Sequence, residues 1–401
     1  MKNSLTDARH SKAVLWILCL ATIGLVFDGY DLVVYGAVVS GFLRDPLQIG
    51  PVTPATAGAL GSYALFGVAA GALLAGSVGD LVGRRKVVLS AYAWFSVGMA
   101  LTAISNGGIP LGSTLSAVLA IGLLEHIGWR GLFWIGALPI VTLFPLAYFK
   151  MPESLAWLVA RGRIAEAQAI ASRMGLALPT PPTQTPEKTA LQAGPQRSGF
   201  AGLFSAYYVF PTLVLGLMSA TGLLLVYSLN TWLPELMLRA GYNTKGSLAF
   251  LAVLNGGSLF GALAASRIAD RIGPKPVVAA SFATGALALV VLTFNFPLAA
   301  LLAVVAIVGL GTSGTQTLIY GFVANYYPTQ VRAAGVAWCA GFGRLGGIGG
   351  PMLGSFLIAS GLRLDAIFYI LAAIAVVGVA LTTLVPLGRS GAVVVPGGAE
   401  K

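Results

Sequence analysis

The sequence predicts an all-α membrane protein made of two helical repeats, and three observations carry that prediction. Hydrophobic residues make up 57% of the 401 and charged residues 9%, against roughly 45–50% and about 25% in soluble domains, so lipid is the solvent for most of the chain. Eleven apolar runs approach or exceed the length of about 20 residues that a helix needs to cross a bilayer core. The third observation is a repeat. Gly79-Asp80-Leu81-Val82-Gly83-Arg84-Arg85-Lys86 and Ala269-Asp270-Arg271-Ile272-Gly273-Pro274-Lys275 each set an Asp-x-x-Gly turn with following cations between apolar runs. A charged, glycine-broken turn at two corresponding points marks a duplicated unit.

The runs fall into two lobes. Residues 1–149 hold the spans 13–43, 54–78, 87–105, 108–125 and 129–148, and residues 207–387 hold 207–229, 247–266, 276–294, 297–320, 333–360 and 365–386, followed by a tail at 388–401. They are helices rather than barrel strands, because lipid requires each segment to pair its own backbone groups and no period-two alternation is present. The first run is too long for the apolar core of a signal peptide and lacks a small-residue cleavage site. It therefore reads as a span with a cytoplasmic tail before it. Between the lobes, 150–206 is polar, with Pro179, Pro181, Pro182 and Pro186 among Lys150, Arg161, Arg163, Arg173, Lys188 and Arg197, which describes a cytoplasmic linker. Within it Leu155, Leu158, Val159, Ile164, Ala167 and Ile170 recur at helical spacing, so Ser154 to Met174 forms a short amphipathic helix on the membrane surface or against the bundle.

The lobes are unequal. From the start of the first span to the Asp of the turn they keep step, 13 to 80 in one and 207 to 270 in the other. After the turn they part: the first lobe ends at 148, whereas the second continues from 270 to 386. The first lobe is short by the length of one helix with its loops, and the gap falls at Ser105-Asn106-Gly107-Gly108. Charge agrees: with Lys2, Arg9, Lys12 and the Arg84-Arg85-Lys86 turn inside, five crossings would put the basic linker outside, against the positive-inside bias. Three arrangements resolve this. A helix is missing, or 108–125 dips in and returns, or the two halves insert in opposite senses.

The net charge of +11 sits in short loops beside apolar runs, which is membrane topology rather than nucleic-acid binding. Cys19 and Cys339 lie inside apolar runs and suggest no disulfide framework. His10 and His126 suggest no metal, and no phosphate-binding loop is present, so ATP does not drive the protein. Neither a cofactor nor a catalytic residue is expected.

Side chains that do carry chemistry lie inside the spans. Asp28 is at the midpoint of the first, and placing a carboxylate there costs about 2.5 kcal/mol or more. Asp31, one turn on, shares its face. Such a pair suits a proton carrier that loads on one side and unloads on the other; the alternative is a structural acceptor. Arg344 lies well beyond Arg332 in the same apolar run, about 18 Å into a helix. Its planar, permanently charged fork suits an anionic substrate, or else a fixed ion pair with Asp28 or Asp31. Gly341-Phe342-Gly343-Arg344-Leu345-Gly346 matches a dinucleotide fingerprint only formally, since no βαβ context surrounds it. Gly343/Gly347, Gly346/Gly350, Gly350/Gly354 and Gly67/Gly71 are instead rows for close helix packing. Tyr30, Tyr320 and Trp338, with Trp94, Tyr227 and Trp232, are candidates to stack on a flat substrate. The turns, through Gly79, Asp80, Gly83, Arg84 and Arg85 and through Asp270, Arg271 and Gly273, read as gates, with pure topology as the alternative.

With these residues in view the chain resembles the major facilitator superfamily over nearly all of its length. The loop at 79–86, Pro152-Glu153-Ser154 and Tyr327-Pro328-Thr329-Gln330-Val331-Arg332-Ala333-Ala334-Gly335 are features of the superfamily. Asp28-Gly29-Tyr30-Asp31 is similar to the D-G-x-D signature of its aromatic acid:proton symporters. The resemblance implies twelve helices in two six-helix repeats, of which this chain lacks the fourth, and functional roles for Asp28, Asp31, Asp80 and Arg344. It implies proton-coupled uptake of a benzoate-like acid across the inner membrane by a monomer, with no enzymatic activity. Symport of sugars or other carboxylates is the alternative, as is a transport-defective remnant or a membrane sensor.

Overall fold

The computed structural model describes residues 15, 16, 19, 23, 30, 34–46, 50–104, 129–174, 199–294 and 296–386. The regular structure among them is entirely helical. In the first lobe α1 is Val34–Arg44, α2 is Pro54–Val82, α3 is Arg84–Ile104, and α4 is Trp129–Lys150, with a short 3₁₀ turn at Leu138–Ile140. The linker contributes α5 (Leu155–Ala160), α6 (Ile164–Met174) and α7 (Gly199–Leu203). The second lobe comprises α8 (Val209–Arg239), α9 (Thr244–Ile272), α10 (Pro274–Val291), α11 (Leu298–Tyr326), α12 (Thr329–Ala359) and α13 (Leu364–Leu384). By length and composition α4, α8, α9, α10, α11 and α13 are six candidate spans. Helices α2, α3 and α12 have 29, 21 and 31 residues. The expected span 108–125, Asp28 and Asp31 lie outside the described residues.

The repeated turn is a single glycine in both lobes. Gly83 links α2 to α3 with φ 109° and Gly273 links α9 to α10 with φ 90°. Only glycine takes such a φ without steric cost, so the Asp-x-x-Gly spacing reads directly as a helix that stops and restarts. The linker helix also breaks at a glycine: Gly162, φ 72°, separates α5 from α6, where the sequence predicts one continuous helix.

Helix directions fix the topology. Gly36 abuts Asn230 and Arg44 approaches Glu235, so α1 runs parallel to α8. Gly58 meets Ser355 and Ser62 meets Ile348, so α2 runs antiparallel to α12. Both repeated turns therefore lie on one face, termed the turn-bearing face here. Glu153, just after α4, reaches Arg85, which puts the linker there too. Insertion of the two halves in opposite senses is thus corrected. Moreover, α3 ends and α4 begins on the far face, so 105–128 is entered and left on a single side.

Helix α12 packs on α8 through the predicted glycine row. A Cβ on Gly346 would collide with the Ala220 carbonyl oxygen, on Gly343 with Ser219 and on Gly354 with Trp232, and on Gly350 it would lie 2.8 Å from the Leu224 carbonyl oxygen. With apolar lipid outside, this close contact supplies the packing that burial supplies in water. Gly67 and Gly71 do not follow the prediction: a Cβ on either meets nothing within 4 Å among the described residues. In α11 a π turn at Leu310–Gly314 shifts the hydrogen-bond ladder. Thr312 donates to the Val308 carbonyl (2.7 Å) and Thr315 to that of Leu310 (3.1 Å), which also accepts the Thr315 backbone N–H.

Candidate functional site

The lobes meet along a seam near the far face. Gly36 of α1 lets the Asn230 carbonyl of α8 approach so closely that any side chain there would overlap it. Asn230 is buried and accepts from Asn255 of α9 at 3.0 Å. At the end of the same pair of helices, Glu235 is 5% exposed and lies 3.6 Å from Arg44 of the other lobe and 3.0 Å from Arg239 of its own helix. Helix α2 joins α12 through Gly58, Gly61 against Pro351, and Ser62, which donates to the Ile348 carbonyl at 2.7 Å. Below these, Leu65, Leu223 and Tyr227, with Ile348 against them, form an apolar cluster of their own that draws on both lobes.

Arg344 sits one turn from that cluster. It shares the α12 stripe of Ile348, Pro351 and Ser355, whose spacing is the helical period of a single face. It is half-buried and makes no hydrogen bond or ion pair with a described residue. Toward the turn-bearing face its stripe continues as Ala337, Ala340 and Gly341, where a Cβ on Gly341 meets nothing within 4 Å among the described residues. The guanidinium therefore faces small residues on one side and a closed apolar seam on the other.

The other candidates occupy different places. Tyr30 is fully buried and its hydroxyl donates to the Leu132 carbonyl of α4, inside the first lobe. Trp338 donates to the Thr212 carbonyl at 2.9 Å and stacks on Phe342 at 5.0 Å, joining α12 to the start of α8. Tyr320 is half-buried on α11, one turn from Gln316, which is buried and donates to Ser219 at 3.1 Å. Ser219 donates in turn to the Cys339 carbonyl at 2.9 Å, so α8 ties Tyr320's helix to that of Arg344. The motif 327–335 serves packing: buried Tyr327 lies 2.8 Å from the Thr212 hydroxyl, against the ring face that Gly335 leaves open.

The turns are clamped within their own lobes, with opposite polarity. In the first, the Glu153 carboxylate accepts from the Arg85 backbone N–H at 3.0 Å and fills the space a side chain on Gly83 would take. Arg85 also donates to the Tyr148 carbonyl. In the second, Lys275 donates to the Thr383 and Val385 carbonyls at 3.0 and 2.5 Å, where the end of α13 presents unpaired acceptors. Gly79 lies in the last turn of α2, and the side chains of Asp80 and Arg84 lie outside the described set. Asp270 and Arg271 are exposed. Sequence reasoning missed the anchoring roles of Glu153 and Lys275. It also missed Glu235, although an acid with Arg239 at i+4 in an apolar stretch was a signal. Glu153→Ala is expected to destabilise the fold by about 1–3 kcal/mol, because two backbone donors, those of Arg85 and Ser154, lose their acceptor. Thermal unfolding in detergent measures it.

Comparison with known proteins adds the following. The sequence pattern of the Major Facilitator Superfamily matches residues 244–400, and that of the Sugar (and other) transporter family matches 16–122. The chain is 30% identical to the benzoate transport protein of Acinetobacter baylyi over 96% of its own length and 92% of that protein's. It is 31% identical to the gallate transporter of Pseudomonas putida, over 91% and 90%, and 27% identical to a 4-hydroxybenzoate transporter of A. baylyi, over 86% and 85%. The first of these alignments runs over 436 residues, more than the 401 of this chain, so it passes through positions for which this chain has no counterpart. A structure of the xylose transporter of E. coli, described as partially occluded and inward open, superposes with a TM-score of 0.68 at 16% identity, covering 94% of this chain and 98% of that one.

Proposed function

The chain belongs to the major facilitator superfamily, among its aromatic acid transporters, and from that premise we propose that it imports an aromatic carboxylate together with a proton by alternating access. The observation that carries this reading is Arg344: a half-buried cation midway along the 31-residue helix α12, one turn from the interlobe seam and with no partner among the described residues, in a helix that we read as crossing the membrane. Charge at that depth is costly and marks a substrate or ion pathway. Substrate and coupling-ion sites of such two-repeat transporters lie near the midplane between the repeats.

The turn-bearing face carries Arg85, Lys86, Lys150, Arg161, Arg163, Arg271 and Lys275, so the positive-inside bias assigns it to the cytoplasm. The seam contacts described above all lie toward the far face, which supports an inward-facing state. In the proposed cycle Asp28 or Asp31 takes a proton from outside, the carboxylate pairs with Arg344, the lobes rock, and both are released inward. Asp270 and its counterpart Asp80 stand in the last turn of a helix, the end whose dipole disfavours an acid by about 0.3–1 kcal/mol. We assign them partners in the alternate state, when the turn-bearing face closes. Asp28→Asn is expected to abolish the response of uptake to an imposed pH gradient in proteoliposomes. Undiminished, pH-driven uptake would remove Asp28 from the coupling role.

Two observations favour second readings. The sugar-transporter pattern at 16–122 supports a different substrate class, which competition by benzoate against hexoses separates. The alignment positions without a counterpart in this chain, together with a first lobe short by one helix and its loops, support a non-transporting remnant or sensor. Uptake by the reconstituted chain, compared with a version given back the missing helix, decides that question.

A further inference from the structure

We propose that Leu65, Leu223, Tyr227 and Ile348 form the apolar end wall of the ring pocket of this transporter and set which aromatic acids it accepts. The proposal rests on the reading of Arg344 as the carboxylate anchor. Its basis is a juxtaposition: these four residues form a separate apolar cluster, and one of them, Ile348, stands directly above Arg344 on the same stripe of α12. A carboxylate held by the guanidinium leaves its ring to fill the next helical turn, about 5.4 Å away. In the direction of the cytoplasm that turn is Ala337, Ala340 and Gly341, too small to grip a ring and suited to a passage. In the other direction it is the cluster.

The cluster is packed shut and closes the far-face end of the space beside Arg344, where it offers a flat ring an apolar roof. A Cβ on Gly347 would lie 3.1 Å from the Tyr227 ring, and one on Gly343 would lie 3.0 Å from Leu223; the glycine row thus lets both side chains sit close to the Arg344 turn. An aromatic ligand gains an aromatic neighbour there, an attraction beyond area burial. Leu65 comes from the first lobe and the other three from the second. A ring resting against them touches both lobes at once, so recognition and lobe movement use the same atoms. Pockets of this kind discriminate by volume, about tenfold or more for each added or missing methylene.

The test uses the full chain in proteoliposomes and reads a ratio, the inhibition of benzoate uptake by 4-isopropylbenzoate relative to unlabelled benzoate. This ratio does not depend on how much protein folds. Leu65→Ala and Ile348→Ala are each expected to shift it at least tenfold toward the bulkier acid, and Ile348→Phe to shift it the other way. Leu289→Ala, which opens space in the second lobe away from the seam, is expected to leave it unchanged. If wild type takes up benzoate and Arg344→Gln does not, yet the cluster variants keep the wild-type ratio within twofold, the ring pocket is wrong and the anchor stands. An equal shift in Leu289→Ala also overturns it, by reducing the effect to general loosening. If wild type neither takes up nor binds benzoate, the aromatic acid reading itself fails.

Discussion

Arg344→Gln is expected to lower benzoate uptake at least about 100-fold while leaving the fold as stable as before, or more so. A carboxylate paired with a guanidinium makes charge-assisted hydrogen bonds of about 1.5–3 kcal/mol each, and 100-fold in affinity corresponds to about 2.7 kcal/mol. The neutral amide loses both the charge and the two-pronged geometry. Arg344→Lys keeps the charge on a point donor and is expected to fall between, about tenfold down. Stability should move the other way, because Arg344 bonds to no described residue and its charge is expensive at that depth. Uptake kinetics and melting in detergent, measured together, check both halves. Retained uptake in the glutamine variant would move the anion site elsewhere.

Gly346→Ala and Gly36→Ala form the second expectation, two equal substitutions with different consequences. Each would drive a methyl into a backbone carbonyl, of Ala220 and Asn230 respectively. Gly346 lies inside one lobe, where α8 and α12 stay together in the proposed cycle. The overlap cannot be escaped, and a cost of about 3 kcal/mol or more is expected from overpacking, read as lost yield and a lowered melting temperature. Gly36 lies between lobes, and an alternative arrangement that opens the far face relieves the clash. Its variant is expected to melt near wild type but to transport at least about tenfold more slowly. A cysteine placed near the far end of α1 should become more reactive to an impermeant reagent. Equal loss of stability in both variants would mean that the seam does not open there.

Much of this arrangement is legible in the sequence because it rests on period and backbone constraint. Gly83 and Gly273 announce a turn that only glycine fits. The row from Gly343 to Gly354 announces a close partner, since its members share one helical face. The same logic misreads Gly67 and Gly71: small residues permit approach but do not compel it, and what stands opposite is decided elsewhere in the chain. Glu153, Lys275 and Glu235 were missed for a related reason. Each acts on groups far away in sequence, Arg85, Thr383 and Arg44, whose nearness follows from how helices pack and not from any local spacing. Asp28 and Asp31, legible as a pair, lie outside the described residues and keep their role as a proposal.

Glu235 has two cations and belongs to a joint that comes apart in the proposed cycle. When the far ends of α1 and α8 separate, Arg44 departs with its lobe, but Arg239 remains on the same helix as the acid, one turn away. A sequestered negative charge abandoned by its counterion would cost several kcal/mol; here a spare counterion travels with it, and the half-exposed Arg44 simply regains water. The fastening is therefore cheap to release in either direction, as a clasp worked on every turnover has to be.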